Sequence, residues 1–540
     1  MQNNEYDVII IGAGATGAGT ARDCAMRGLK TLLVERFDFT AGATGRNHGL
    51  LHSGARYAVT DQESASECIS ENMILRRIAR HCVEPTGGLF VTLPEDDLAY
   101  QNLFVDSCLK AGIEARAIDP AEALRIEPSV SKDIIGAVTV PDGAVDPFRL
   151  TTANVVDAKA HGADVLTYHM VESLLMRQGR VCGVTLRRQG SRDTFDVEGR
   201  IVVNAGGIWA HGIALMAGVN INMFPAKGAL LIFGHRVNNV VINRCRKPAD
   251  ADILVPGDTI SLIGTTSSRV PYEEVDNMEV TQAEVDTLLR EGMKIAPSLA
   301  YTRILRAYAG VRPLIASDDD PTGRSISRGI VCLDHAERDG VEGLVTISGG
   351  KLMTYRLMAE IATDTVCRKL GVEASCRTAE LPLPGSETTE KPEKKRFRKS
   401  HIIELSANQL AAHGRHGSMI ENVSYDPDTD DTALCECEQV SLGEAKYAIE
   451  RLDVNNLINL RRRTRLGMGT CQGSICACRA SAELARHFGS GQALADLSSF
   501  VNERWKGMMP VAWGQTLVEA YFSEWIYRGV CGLSSNTTEQ

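Results

Sequence analysis

The chain has 540 residues, 44% of them hydrophobic and 23% charged, and a formal net charge of −10. That length predicts two or three domains around a sizeable core, and the acidic balance argues against nucleic acid as a partner. No apolar run reaches the roughly 20 residues of a membrane-spanning helix, and no basic lead precedes an apolar run at the start, so any membrane contact is expected to be peripheral or through a partner.

The first element is the most telling. Residues 6–11 form a short apolar run that predicts a buried strand, and it runs straight into Gly12-Ala13-Gly14-Ala15-Thr16-Gly17. Residues 15–27 predict a helix stopped by Gly28, and residues 29–34 a second strand ending at Glu35-Arg36. A glycine fingerprint between strand and helix, with an acid at the next strand tip, is a dinucleotide site. Gly12 permits the tight turn, Gly14 lets backbone approach a pyrophosphate, and Gly17 lets helix and strand pack closely. Glu35 is placed to accept from a ribose diol.

A second small-residue patch follows at 41–49, with Thr44, Arg46, Asn47, His48 and Gly49. It can wrap the pyrophosphate and ribityl chain of an extended FAD, which a nicotinamide enzyme does not require. Further along, a strand runs into Ala205-Gly206, and another into Gly349-Gly350-Lys351-Leu352-Met353-Thr354 before a helix. Three distant glycine turns suit a flavin, whose ring system needs close backbone approach on several sides. Arg56, Arg312, Arg328 and Lys351 stand beside these turns. Basic groups there bind an anionic substrate and stabilise charge on the reduced flavin.

Residues 1–380 thus read as one α/β unit. The composition breaks at Leu381, and polar, weakly patterned sequence predicts a linker and connecting segment over 381–432. Five of the fifteen cysteines crowd into the next stretch, 433–488, and residues 489–540 read as an amphipathic helical tail. Cys435-x-Cys437 and Cys471-x4-Cys476 supply four thiolates in two close pairs, which suit a [2Fe–2S] cluster or a tetrahedral zinc. Cys478 is a fifth thiol that can substitute for Cys476 or pack nearby. Arg461-Arg462-Arg463 and Arg465 read as a solvated basic face, with docking of a partner as the alternative.

The segments 42–57, 310–313, 326–329 and 349–356 resemble those of FAD-dependent glycerol-3-phosphate dehydrogenases, and with the cysteine region the whole chain is similar to the large subunits of the anaerobic, multi-subunit branch. The resemblance implies an FAD-binding Rossmann-type domain interleaved with an α+β substrate domain, followed by a small helical [2Fe–2S]-type domain. It implies oxidation of sn-glycerol 3-phosphate to dihydroxyacetone phosphate, with Arg56, Tyr57, Arg312, Arg328 and Lys351 gripping the substrate and Thr354 near the flavin. It also implies partner subunits, including a membrane-anchoring iron–sulfur subunit leading to quinone, a peripheral place on the cytoplasmic side of the inner membrane, and room for an FMN elsewhere in the complex. One position departs from the pattern. In the homodimeric branch a histidine follows the stretch matching Lys227-Gly228-Ala229, whereas here Leu230 stands there and cannot take a proton. His48 and His52 are the nearest replacements, alongside another group or water. A flavin dehydrogenase for amino or hydroxy acids, and a zinc-held assembly module at the C-terminal end, are the competing readings.

Overall fold

The computed structural model describes residues 5–315, 329–388, 395–398, 401–422, 426, 428–530 and 532–533. Arg328 lies outside the described residues. Strand β1 (Glu5–Ile11), helix α1 (Ala15–Met26) and strand β2 (Thr31–Val34) make the opening expected from the fingerprint. The second strand starts late because Gly28, at φ +80°, turns the chain and Leu29 N–H still bonds back to the Cys24 carbonyl at 3.1 Å.

The first sheet runs β3 (Asp164–Leu166), β2, β1 and β4 (Thr194–Asn204), all parallel. On its far side β4 pairs twice. Its outer half joins the antiparallel hairpin His169–Arg177 and Arg180–Arg188, and its inner end lies parallel to strand Leu344–Gly349. Val8, Ile9 and Ile10 are fully buried, as a parallel strand covered on both faces must be. Each such side chain contributes roughly 1.5–3 kcal/mol. Helix α1 packs against α2 (Pro147–Ala160) and α3 (Tyr355–Leu370) through small residues such as Ala18 and Ala21. Gly19 is required there, since a Cβ would come within 2.9 Å of the Tyr355 ring.

The second sheet is mixed and built by segments interleaved with the first. Long strands β5 (Met223–Phe233) and β6 (Ile304–Ile315) pair antiparallel along its edge. Ser261–Gly264, Ile253–Pro256, Val241–Arg244, Gly88–Thr92, Gly136–Val140 and Arg116–Ile118 continue it, with Val241–Arg244 parallel to Gly88–Thr92. Ala229, Leu231 and Phe233 bury one face against helix Gln282–Ile295, leaving the alternate residues to face the first sheet.

The stretch beginning at Leu381 starts inside the fold. Leu383 is fully buried beside Leu75, Ile78 and Tyr355, and its N–H bonds the Ile78 carbonyl at 2.8 Å. Beyond it, helices α4 (Leu457–Thr464), α5 (Cys476–Phe488), α6 (Ser490–Met508) and α7 (Gly514–Glu524) follow. The cysteine region and the tail share one core, in which Leu434, Leu460, Cys476 and Leu484 pack with Leu497, Phe500 and Tyr527.

The basic run is not a solvated face. Arg463 pairs with Asp38 at 2.6 Å and lies over the Phe39 ring, and Arg462 reaches the same carboxylate at 3.0 Å. Arg465 pairs with Glu438 and Asp258, each at 2.9 Å. Burial alone would raise the Asp38 carboxyl, but the two guanidiniums hold it below the usual range. The arginines dock α4 against the strand-tip loop that carries Glu35. No described helix is long and apolar enough to cross a membrane.

Candidate functional site

The glycine fingerprint holds the geometry a dinucleotide needs. Gly12 sits at φ +105°, and a Cβ there would meet the Ala205 carbonyl at 2.6 Å. A Cβ on Gly17 would overlap the Gly12 carbonyl at 1.8 Å. Gly14 is the N-cap of α1 and gives it no side-chain cap, and the first turn carries no acid. The helix therefore presents free N–H groups and its positive end to an anion. The Thr44 hydroxyl accepts from Ala15 N–H at 3.1 Å, bringing the second patch over the first. Gly42 faces Trp209, beyond the Ala205-Gly206 turn, where a Cβ would approach the indole to 3.0 Å.

Glu35 is fixed by two amides. Ala13 N–H and Phe37 N–H each donate to one of its carboxylate oxygens at 2.9 Å, and burial pushes its carboxyl up. Arg36 instead turns away, pairing with Asp276 at 2.5 Å and stacking on Trp209 at 4.3 Å. Asn47 closes its own loop, donating to the Thr44 carbonyl at 2.6 Å and accepting from Gly49 N–H at 2.7 Å. Gly350, at φ +64°, faces the Met358 sulfur, to which the Thr16 hydroxyl also donates at 3.6 Å, so the third glycine turn meets the N-terminus of α1. Thr354 hydroxyl and Lys351 backbone bond reciprocally across the Leu352–Thr354 turn, at 2.9 and 3.1 Å.

Around this frame the basic residues take separate stations. Lys351 Nζ lies 4.6 Å from the Tyr57 ring centre, and Tyr57 is 5.6 Å from the His52 ring. His48 is 5.9 Å from His52 on the other side, with its Nδ1 accepting from Leu50 N–H at 3.2 Å. Arg312 on β6 donates to the Thr265 hydroxyl, the Thr266 carbonyl (3.1 Å) and the Ser267 hydroxyl (3.3 Å). Gly228 is opposite, and a Cβ there would strike the Arg312 guanidinium at 2.6 Å. Leu230 is buried in register with Tyr308, on the same face of β5 as Gly228. Arg56 pairs with Asp252 at 2.9 Å and donates to the Ala249 carbonyl at 3.1 Å, while its buried Nη1 has no partner among the described residues. Ala251 N–H reaches the Thr265 carbonyl at 3.3 Å, so Arg56 and Arg312 hang from one corner. Asp252 and Asp142, whose carboxylate takes Ser53 N–H at 2.7 Å, position this site. Neither has a spacing signal in the sequence, because each acts across the fold.

The four expected thiols come together. Cys471 contacts Cys437 and Cys476, and Cys476 contacts Cys435. The hydrogen bond from Cys476 and the amides of Ile475 and Gly473 hold the Cys471 thiol down to about 5, and Cys476 with the amides of Gly467 and Glu438 brings Cys435 down to about 7. Burial raises Cys437 to about 11. Among the described residues no group of three or more His, Cys, Asp or Glu is arranged as a metal site. The loop is held from behind: Tyr527 hydroxyl donates to the Gly473 and Ser474 carbonyls, both at 2.9 Å, and Gly473 packs on Phe500 where a Cβ would come within 2.5 Å.

Residues 7–356 match the model of the FAD dependent oxidoreductase family. The chain is 62% identical over 530 residues to a subunit of the anaerobic glycerol-3-phosphate dehydrogenase of Escherichia coli K12, covering 98% of this chain and 97% of that protein. It is 44% identical to an anaerobic glycerol-3-phosphate dehydrogenase subunit of Haloferax volcanii, over 94% of this chain and 88% of that protein. Among solved structures, the glycerol-3-phosphate dehydrogenase of Bacillus halodurans complexed with FAD is similar in fold, at 22% identity and a TM-score of 0.69, covering 95% and 97% of the two chains. With its glycine fingerprint, its interleaved sheets and this identity along nearly its whole length, the chain belongs to the FAD-dependent oxidoreductase family, in its anaerobic glycerol-3-phosphate dehydrogenase branch.

Proposed function

We propose that the chain oxidises sn-glycerol 3-phosphate to dihydroxyacetone phosphate and passes the electrons through a [2Fe–2S] cluster and a partner protein to quinone. The observation that carries the substrate is the 62% identity, over 98% of this chain, to a protein named for that dehydrogenation. Bound at Gly12, Gly14, Gly17, Glu35, Thr44 and the Gly350 turn, FAD supplies a two-electron acceptor that can hand electrons on singly.

Arg312 is the phosphate grip in this reading by resemblance, and the Thr266 carbonyl and Ser267 hydroxyl, which now take its Nη donors, mark where a phosphate would compete for them. Arg56 brings an unsatisfied buried donor toward the same corner, and Arg328 joins them by resemblance. Lys351, over Tyr57, orients the hydroxyls. Leu230 leaves the proton to another group, and His52 is the base we assign, because it sits with Tyr57 and Lys351 while His48 Nδ1 is occupied by the loop.

The thiol set suits a [2Fe–2S] cluster. Thiol contacts link Cys437 to Cys471, Cys471 to Cys476 and Cys476 to Cys435, and backbone amides donate to Cys435 and Cys471, as they do to cluster sulfurs. Trp513, Tyr521, Phe522 and Trp525 are exposed along the tail, which supports a surface covered by another subunit, including one that anchors the complex at the cytoplasmic side of the membrane. An FMN would then belong to a partner.

Anaerobic purification followed by cofactor analysis tests the reading. Expected are one FAD per chain, released on denaturation, and two irons with two acid-labile sulfides. Glycerol 3-phosphate should bleach the flavin while glycine, proline and lactate do not. Bleaching by an amino acid instead would make the basic residues a carboxylate site, and one zinc without sulfide would make the C-terminal region an assembly module.

A further inference from the structure

The flavin-side face of β5 and β6 continues past the flavin loop to a second, partly open cavity of about 480 Å³. Alternation along β6 puts Arg306, Tyr308, Gly310 and Arg312 on one face. The loop at Arg46–Asn47 lies across the middle of that row: Tyr308 hydroxyl donates to the Asn47 carbonyl at 2.8 Å, and a Cβ on Gly310 would meet the Arg46 carbonyl at 2.5 Å. Arg312 is left on one side of the loop and Arg306 on the other. Gly12, Gly14, Glu35, Arg56, Lys351 and Arg312 do not line the cavity, whereas Arg46, Asn47, His48 and Gly49 do, so the flavin-wrapping loop is the wall it shares with the site described above.

Three guanidiniums face it, from three different elements: Arg46 from the loop, Arg306 from β6 and Arg461 from α4. None of them donates a hydrogen bond to a described residue, and the buried Nε atoms of Arg306 and Arg461 are unpartnered among the described residues. Other arginines of the same wall are neutralised, Arg462 by Asp38 and Arg465 by Glu438 and Asp258. The carboxylate that acts on all three is Glu503, which is exposed on α6. Burial and the neighbouring arginines drag Arg461 down to about 9, the mark of a cation short of counter-charge. Converging buried cations are costly unless an anion joins them. Gly507 shows that the arrangement is built: helix α6 packs its backbone on the Arg306 guanidinium, where a Cβ would lie 2.7 Å from Nε.

Glu503 acts on all three guanidiniums and Asp276 on Arg46 as well, which still leaves an excess of positive charge that suits an anion. The remaining wall is mixed: Val145, Ile232, Ile260, Leu262 and Met468 form an apolar stretch beside Glu84, Asp146, Glu279 and Lys506, and the space is far roomier than a phosphate group needs. We propose that this cavity, between the flavin loop and the cysteine region, is a second anion site that takes a phosphate monoester with an apolar body, gripped by Arg46, Arg306 and Arg461.

Equilibrium dialysis on the FAD-loaded full chain tests it, in an Arg312→Ala background so that the proposed substrate grip does not contribute. Inorganic phosphate and phenyl phosphate are the probes. Expected is one ligand per chain, with phenyl phosphate bound at least 10-fold tighter than phosphate. Arg306→Gln should weaken phenyl phosphate at least 10-fold. Glu503→Gln, a change at an exposed position that the fold tolerates, should tighten it several-fold by removing the competing carboxylate. Absence of binding in the Arg312→Ala protein, equal affinity for the two probes, or binding indifferent to Glu503→Gln would each overturn the proposal. Because the background lacks Arg312, failure here leaves the proposed dehydrogenation untouched.

Discussion

Gly228 and Arg312 show how a single atom can set the proposed substrate grip. A methyl on Gly228 would strike the tip of the Arg312 side chain, which is flexible, so Gly228→Ala should fold and hold FAD while Arg312 swings aside. Losing a charge-assisted contact from a partly desolvated site costs about 1.5–3 kcal/mol. Both Gly228→Ala and Arg312→Ala should therefore lose roughly 10- to 100-fold in kcat/KM for glycerol 3-phosphate, with unchanged flavin absorbance. Steady-state kinetics at equal FAD content measure this, and unchanged efficiency in both variants would remove Arg312 from the site. His52 and His48 are separated by the same logic. His52→Gln should lower kcat by about 10²- to 10⁴-fold, the usual worth of a general base, while His48→Gln stays within a few-fold. The opposite order would make His48 the base.

At the scale of elements, the flavin cradle depends on how closely α1 meets β1 and β4. Gly17→Ala places a Cβ 1.8 Å from the Gly12 carbonyl, a backbone atom that cannot swing away, so the purified variant should lack FAD or fail to fold. The stretch that opens the expected linker gives a second test. His81 Nδ1 bonds the Ser386 hydroxyl at 2.8 Å, and burial, with Arg149 and two further histidines, holds the ring down to about 3. A base with its folded pKa below its unfolded value of roughly 6.5 binds fewer protons when folded, so its contribution is complete at neutral pH and is lost as pH falls below that value. Asp38, held low by Arg463 and Arg462, adds a loss further down, as pH drops through the carboxylate range. The melting temperature should fall steadily from pH 7 to 4, and His81→Asn should flatten the part between pH 6.5 and 4. An unchanged slope in that variant would show that His81 titrates normally.

Across the whole molecule the flavin frame and the cysteine region are one packed object, joined by Arg462 and Arg463 on Asp38 and by Asn456 and Asn459 on the Tyr168 hydroxyl at 2.7 and 2.8 Å. Each region still has its own core, so damage to the thiols should not reach the substrate site. Cys471→Ser or Cys476→Ser should leave flavin reduction by glycerol 3-phosphate within a few-fold and abolish transfer to a quinone-linked or artificial acceptor, since serine is a poor replacement for a soft thiolate. Stopped-flow reduction and acceptor turnover, measured on one preparation with its iron content, check the two steps separately. Full turnover without iron would make the cysteines structural.

Local patterns were enough to fix the opening βαβ unit, the order of its glycines and the place of Glu35 at the strand tip, because each depends on neighbours within about thirty residues of chain. The pairing of Cys435-x-Cys437 with Cys471-x4-Cys476 was legible for the same reason, as short loops with characteristic spacing. What the chain alone left open is everything settled by contact across the fold. Arg461–Arg465 has the composition of a solvated face, yet it is buried because Asp38, Asp146 and Asp258 from distant segments neutralise most of it. Asp252, Asp142 and Arg306 carry no local signal, and their meaning comes from the guanidinium, the turn or the empty space that the interleaved sheets bring to them. Charge and burial are properties of a place in the tertiary structure, and a one-dimensional pattern specifies that place only where the partners are close along the chain.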